Sequence, residues 1–153
     1  MTSPVDRAEL IELLSHYADI ADLKEFTELP RRVFTDPLTI DFESVTGMPP
    51  MTVPLSEYLD NVRAAFAPFT ATHHAITGHV VEVHGDSATV HAHVRADHWL
   101  PGELPGDRAR HWLVAGFYDN EAVRTPDGWR LTSVKLTATH QENTPTPAPE
   151  QAR

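Results

Sequence analysis

The sequence predicts an α+β domain, with N-terminal helices packed on a strongly curved antiparallel sheet that encloses a pocket. Three observations predict it. Apolar residues recur at three- and four-residue steps up to about residue 70, the period of a helix, and later segments are rich in Val, Thr, His and aromatics, as strands are. Four such segments follow one another across turn-forming residues, which makes a meander. At 153 residues the chain has room for one core and no second domain.

Taken in order, residues 6–22 place Leu10, Leu13, Leu14, Tyr17 and Ala21 on one helical face. Lys24 to Leu29 reads as a second short helix, with Phe26 and Leu29 inward and Asp22 available as its N-cap. Leu38 to Phe42 alternates as a half-buried strand does, and Gly47 to Pro50 is a loop. Pro54 to Phe66 regains helical spacing through Leu55, Tyr58, Leu59, Val62 and Phe66, with Pro54 suited to the first turn. The four long strands are Thr72–Val83, Ser87–Leu100, Arg108–Ala122 and Trp129–His140, separated by turns at Gly85-Asp86, Pro101 to Gly106 and Thr125 to Gly128. Residues 1–142 form the domain, and 143–153, with three prolines and no large apolar residue, form a disordered tail.

Composition narrows the function. Apolar residues at 41% and charged residues at 22% are ordinary for a globular protein. Twelve Lys and Arg against 22 Asp and Glu give a formal charge of −10, which repels phosphate backbones and anionic membranes, so neither nucleic acid nor membrane is an expected partner. Zero cysteines exclude disulfides, iron–sulfur clusters, thiolate zinc sites and a cysteine nucleophile. With no long apolar run and no apolar stretch at the N-terminus, a cytoplasmic location is expected.

Ten histidines are the unusual count, most of them between His73 and His111. In the second long strand Ala88, Val90, Ala92, Val94 and Ala96 share a face, which must turn to the helices, and His98 continues that row. A two-residue turn at Gly85-Asp86 pairs Val81 with Val90 and sets His73 opposite His98. A one-residue bulge near Gly78 would instead bring His74 and Ile76 inward beside His98 and Ala96. Pattern alone leaves the two registers open. An inward imidazole needs a polar partner. Asp22 is a candidate, since a carboxylate at the end of a helix is unfavourable to the helix itself. Tyr17, five residues earlier, shares a site with Asp22 only if the helix end opens or bends.

The layout, together with the segments Tyr17–Phe26, Leu38–Phe42, Thr72–Gly78, Asp97-His98-Trp99, Gly116–Asp119 and Asp127-Gly128-Trp129, resembles the SnoaL-like branch of the nuclear transport factor 2 superfamily. Within it the chain is similar to scytalone dehydratase and the bacterial bile acid dehydratases. That resemblance implies a helical cone capped by a curved sheet, a buried pocket and no required cofactor. It also implies a pocket site of Asp22, His74 and His98, which selects the bulged register, and a tyrosine, Tyr17, as in the bile acid dehydratases. Scytalone dehydratase has tyrosines where this chain has Ala21 and Phe42, and those tyrosines help polarise the substrate carbonyl.

The chemistry expected of these residues is acid–base. His98, oriented by Asp22, is assigned as the base beside a carbonyl, with His74 as donor to a leaving hydroxyl or enolate oxygen and Tyr17 as a second donor. Phe42, Trp112 and Tyr118 are candidates for an apolar, substrate-binding wall. The expected activity is a cofactor-independent lyase or isomerase of the dehydratase type, acting on a small hydrophobic, cyclic, hydroxylated carbonyl compound such as a polyketide or steroid. Cyclisation of a polyketide and non-catalytic binding are the alternatives on the same scaffold. A metal site through His91 and His93 is the remote one, because Gly85 followed by His91 and His93 resembles only the opening of the cupin motif. Those two histidines fall on the outer sheet face, where contact with a second or third copy, as a homodimer or homotrimer, is expected.

Overall fold

The first helix forms where the sequence supplies its own start. In the computed structural model, which describes residues 1–102 and 111–144, Ser3 caps α1 (Pro4–Leu23) by accepting from the Asp6 amide at 3.0 Å, and Pro4 takes the first turn. The helix stops at Lys24, whose left-handed φ of 57° turns the chain back. The expected second helix is a 3-10 turn, Phe26–Glu28, running into a one-turn α2 (Leu29–Arg32). Asp22 is not its cap. No side chain caps either segment, and the Asp22 carboxylate turns to the His74 backbone amide instead.

Strand β1 (Phe34–Asp41) begins four residues before the alternation was legible, and Phe42 lies past its end as the residue preceding α3 (Glu43–Thr46). A short β2 (Met51–Val53) then pairs with β1 ahead of α4 (Leu55–Phe66). The meander follows as β3 (Ala71–His84), β4 (Ser87–Trp99), β5 (His111–Thr125) and β6 (Gly128–Glu142). Pro105, Gly106, Arg108 and tail residues 145–153 lie outside the described residues.

All six strands form one curved sheet in the order β2-β1-β6-β5-β4-β3. The meander is antiparallel as expected, but β1 joins β6 in parallel, so the sheet is mixed at that side. The inward row of β4 is buried from Ala88 through His98, and Val90 and Ala92 are fully enclosed, in the same core as Leu10 and Leu14 of α1. Burial follows the two-residue period of the strand as far as Ala96, after which Asp97, on the other face, is buried as well.

Two glycines shape the sheet where it curves. Gly78 adopts a φ of +64° at a bulge that shifts the β3–β4 register between Thr77 and Val80. Gly116 lets β6 approach so closely that a Cβ there would sit 2.0 Å from the Thr137 carbonyl oxygen.

Candidate active site

The bulge at Gly78 decides which histidine faces the cone. From the hairpin at Gly85-Asp86 the pairing runs Val83 with Ala88 and Val81 with Val90, as the turn predicts. Past the bulge it becomes His74 with Ala96 and Thr72 with His98, which turns His74 inward and leaves His73 exposed. The expected pairing is displaced by one inward position, so His74 and His98 are diagonal neighbours with ring centroids 5.5 Å apart.

Asp22 meets β3 from the end of α1. One oxygen, Oδ1, accepts from the Thr72 hydroxyl at 2.8 Å and from His74 Nδ1 at 2.6 Å, while Oδ2 accepts from the His74 backbone N–H at 2.9 Å. Burial alone would raise this carboxyl, but the hydrogen bonds and charge supplied by His74, with Thr72, bring it below its ordinary value. These donors also compensate the carboxylate for the unfavourable helix terminus. A carboxylate only accepts, so Nδ1 of His74 carries a proton, and in the neutral ring Nε2 keeps the lone pair.

The carboxylate thus orients His74 and not His98, which corrects the expected division of roles. The reason is the bulge: it brings the His74 backbone amide and ring together to the helix end, while His98 stays one strand further in. His98 lies between Trp112 (ring centroids 4.4 Å) and Phe69 (4.9 Å), with Nδ1 donating to the Trp112 carbonyl at 3.2 Å. Burial, helped by the charge of His74, pushes its pKa down to about 4. His98 is therefore a neutral imidazole with an acceptor Nε2, unsuited to holding a proton near neutrality.

Both histidines line a cavity of about 470 Å³ whose other walls are mainly apolar. Phe42, Trp112 and Tyr118 all line it, Phe42 from the turn after β1. Trp112 also donates from Nε1 to Gln141 at 3.2 Å. Tyr17 lines it too, but its hydroxyl meets Tyr58, at 3.4 Å, rather than Asp22, which remains within α1 five residues on. Asp22 stands behind His74. The helical spacing of α4 gave Tyr58 and Phe66 alike only a place on a core face, yet Phe66 stacks on His74 with ring planes 17° apart. The signal for Tyr58 was a phenol within the apolar stripe of α4, where a hydroxyl needs a partner.

On the outer sheet face His91 Nδ1 hydrogen-bonds Asp119 at 2.7 Å, and His93 packs against Phe117 with ring centroids 4.8 Å apart. Among the described residues no three His, Asp or Glu side chains are grouped to hold a metal ion, and no helix is long and apolar enough to cross a membrane.

A helical cone on a curved sheet, with a carboxylate–imidazole pair at an apolar cavity, is an architecture of the nuclear transport factor 2 type. The chain belongs to the SnoaL-like domain family, which residues 5–135 match. It is 32% identical over 126 residues to the uncharacterized protein Rv2910c of Mycobacterium tuberculosis, covering 82% of this chain and 80% of that protein. The crystal structure of Kfla4162 from Kribbella flavida shares 74% identity with a TM-score of 0.88, over 92% of this chain and 95% of that one. A provisionally named scytalone dehydratase from Novosphingobium aromaticivorans superimposes with a TM-score of 0.78 at 18% identity, over 94% of this chain and 91% of that one. At that identity the likeness is one of fold. The fold is thus shared with dehydratase-like proteins.

Proposed function

We propose that this chain is a cofactor-independent lyase or isomerase of the dehydratase type, acting on a hydrophobic, cyclic, hydroxylated carbonyl compound. The observation that carries the proposal is the 2.6 Å contact of Asp22 with His74 Nδ1, which leaves Nε2 of a carboxylate-held imidazole free at an apolar cavity. Such an imidazole has a fixed tautomer and raised basicity, the two properties a base needs to take a proton beside a carbonyl.

In this reading Nε2 of His74 takes the proton from the carbon next to the carbonyl, and the electron pair moves into the enolate. The carbon–hydroxyl bond one carbon further then breaks, and the proton on His74 leaves with the hydroxyl as water. Asp22 stabilises the imidazolium between those two events. His98 accepts a hydrogen bond from the substrate hydroxyl and so orients its lone pairs toward His74. Without loss of the hydroxyl, the same proton transfer would be an isomerisation. General acid–base help of this kind contributes roughly 10²–10⁴ in rate.

The test uses 3-hydroxy-1-tetralone, which loses water to give fluorescent 1-naphthol. The proposal expects acceleration by the protein and its loss in His74→Ala. Acceleration that survives His74→Ala would remove His74 as the base, and a compound that binds without turnover would leave a binding protein.

A further inference from the structure

Three consecutive residues of β3, Thr72 to His74, surround the Asp22 carboxylate, and their donors fall unequally on its two oxygens. Oδ1 accepts from the Thr72 hydroxyl at 2.8 Å and from His74 Nδ1 at 2.6 Å, whereas Oδ2 accepts from the His74 backbone N–H at 2.9 Å. The hydroxyl therefore competes with the imidazole for the electron density of a single oxygen. Nothing in the chemistry above uses that competition.

The strand delivers both groups together. Thr72 and His74 stand two residues apart, so their side chains share one face of β3, and Thr72 lies directly across the ladder from His98. At 7% exposure the Thr72 hydroxyl is largely shielded from water, and its one proton goes to Asp22. Such a donor does two things to a carboxylate. It favours the charged form: burial raises the Asp22 carboxyl, and His74 first and Thr72 after it bring it down. It also makes Oδ1 a weaker acceptor for the next donor, because part of its charge is already drawn off.

We infer that Thr72 is a positioning residue that acts through Asp22. By occupying Oδ1 it limits how strongly the carboxylate binds the Nδ1 proton, so the imidazolium that forms on His74 is held firmly enough to exist and loosely enough to give its proton back. The inference rests on the proposed function for what His74 does to a substrate, but the hydrogen-bond competition is a property of the free protein. The other charged and titratable groups nearby leave Oδ1 alone. His73 of β3 is exposed and approaches Oδ2 only to 3.9 Å. His98 of β4 is neutral and turned to the Trp112 carbonyl, Tyr118 of β5 is a neutral phenol, and Lys24 at the end of α1 donates to the Phe69 carbonyl.

The experiment compares the wild type with Thr72→Val, which removes the hydroxyl and keeps the shape, and Thr72→Ser, which keeps the hydroxyl. The first readout is the proton chemical shift of His74 Nδ1–H in the free protein, with the Trp129 Nε1–H, bonded to Asp6 elsewhere in the fold, as internal reference. The second is the pH profile of kcat/KM for 3-hydroxy-1-tetralone. In Thr72→Val the His74 resonance should move downfield while that of Trp129 stays. The acid limb should move up, so that half-maximal rate needs about a three- to tenfold lower proton concentration. The plateau above it should stay within about threefold of the wild type. Thr72→Ser should match the wild type in both readouts. A merely structural role would lower the melting temperature and the plateau and leave the limb in place. An unchanged or upfield His74 resonance in Thr72→Val, an unmoved limb, or a Thr72→Ser that behaves like Thr72→Val would overturn the inference. The resonance is read without substrate, so a downfield shift in a protein that turns nothing over sinks the base and keeps the role of Thr72.

Discussion

His98 gives a prediction whose size follows from its surroundings. It is 5% exposed and enclosed by Trp112 and Phe69, and its pKa falls from 6.5 to about 4. Between those two values the unfolded chain takes up a proton at this position and the folded chain does not, so stability falls as pH is lowered through that window. Above the upper value the group costs nothing, since it is neutral in both states. Each pKa unit corresponds to about 1.4 kcal/mol, so His98 withdraws about 3 kcal/mol of stability by about pH 4. Asp22 acts lower on the scale. Its folded pKa lies below 3.8, so its contribution is present above the unfolded value and lost only as pH falls through the depressed one. The assay is urea denaturation followed by tryptophan fluorescence at half-unit steps from pH 4 to 7.5, for wild type and His98→Phe. The difference in unfolding free energy between the two should change by about 3 kcal/mol across the range, with the variant the less sensitive to acid. Parallel curves would mean that folded His98 protonates as readily as in the unfolded chain, and the neutral, acceptor-only role given to it would fall.

Two further changes probe the scaffold. Asn120 is 1% exposed, and neither amide atom has a hydrogen-bond partner among the described residues, so Asn120→Leu should raise stability by about 1–2 kcal/mol. A lowered melting temperature would show that the amide is satisfied after all. Gly116→Ala places a Cβ against the Thr137 backbone, and it should cost about 1–3 kcal/mol and loosen hydrogen-exchange protection along β5 and β6. An unchanged melting temperature would contradict the close approach.

Local patterns carried much of the fold. The β4 alternation, the Gly85-Asp86 turn and the helical faces of α1 and α4 were legible because each is set by residues close in sequence. Gly78 marked where a bulge could fall, since its φ of +64° is one a glycine adopts freely, but the pattern left the register beyond it open. What stayed hidden depends on distant pieces meeting. The parallel pairing of β1 with β6 joins segments about a hundred residues apart, and α3 and β2 are too short to show a period. The partner of Asp22 depends on how the end of α1 docks on β3, so the expectation fell on His98 where the docking brings His74. Tyr58 looked like core because its spacing is that of core. Only the fold brings its hydroxyl to that of Tyr17, 41 residues away.

The central claim is that Asp22 primes His74 by holding its proton on Nδ1. Two-bond ¹H–¹⁵N correlation spectra of the imidazoles test it directly, in wild type and in Asp22→Asn. The His74 backbone N–H can only donate, so it fixes the asparagine oxygen on its side and turns the amide NH₂ toward Nδ1. The account predicts the Nδ1–H tautomer in the wild type and the Nε2–H tautomer in Asp22→Asn, with turnover of 3-hydroxy-1-tetralone lost along with the exposed lone pair. The same tautomer in both proteins, or Nε2–H already in the wild type, would contradict it.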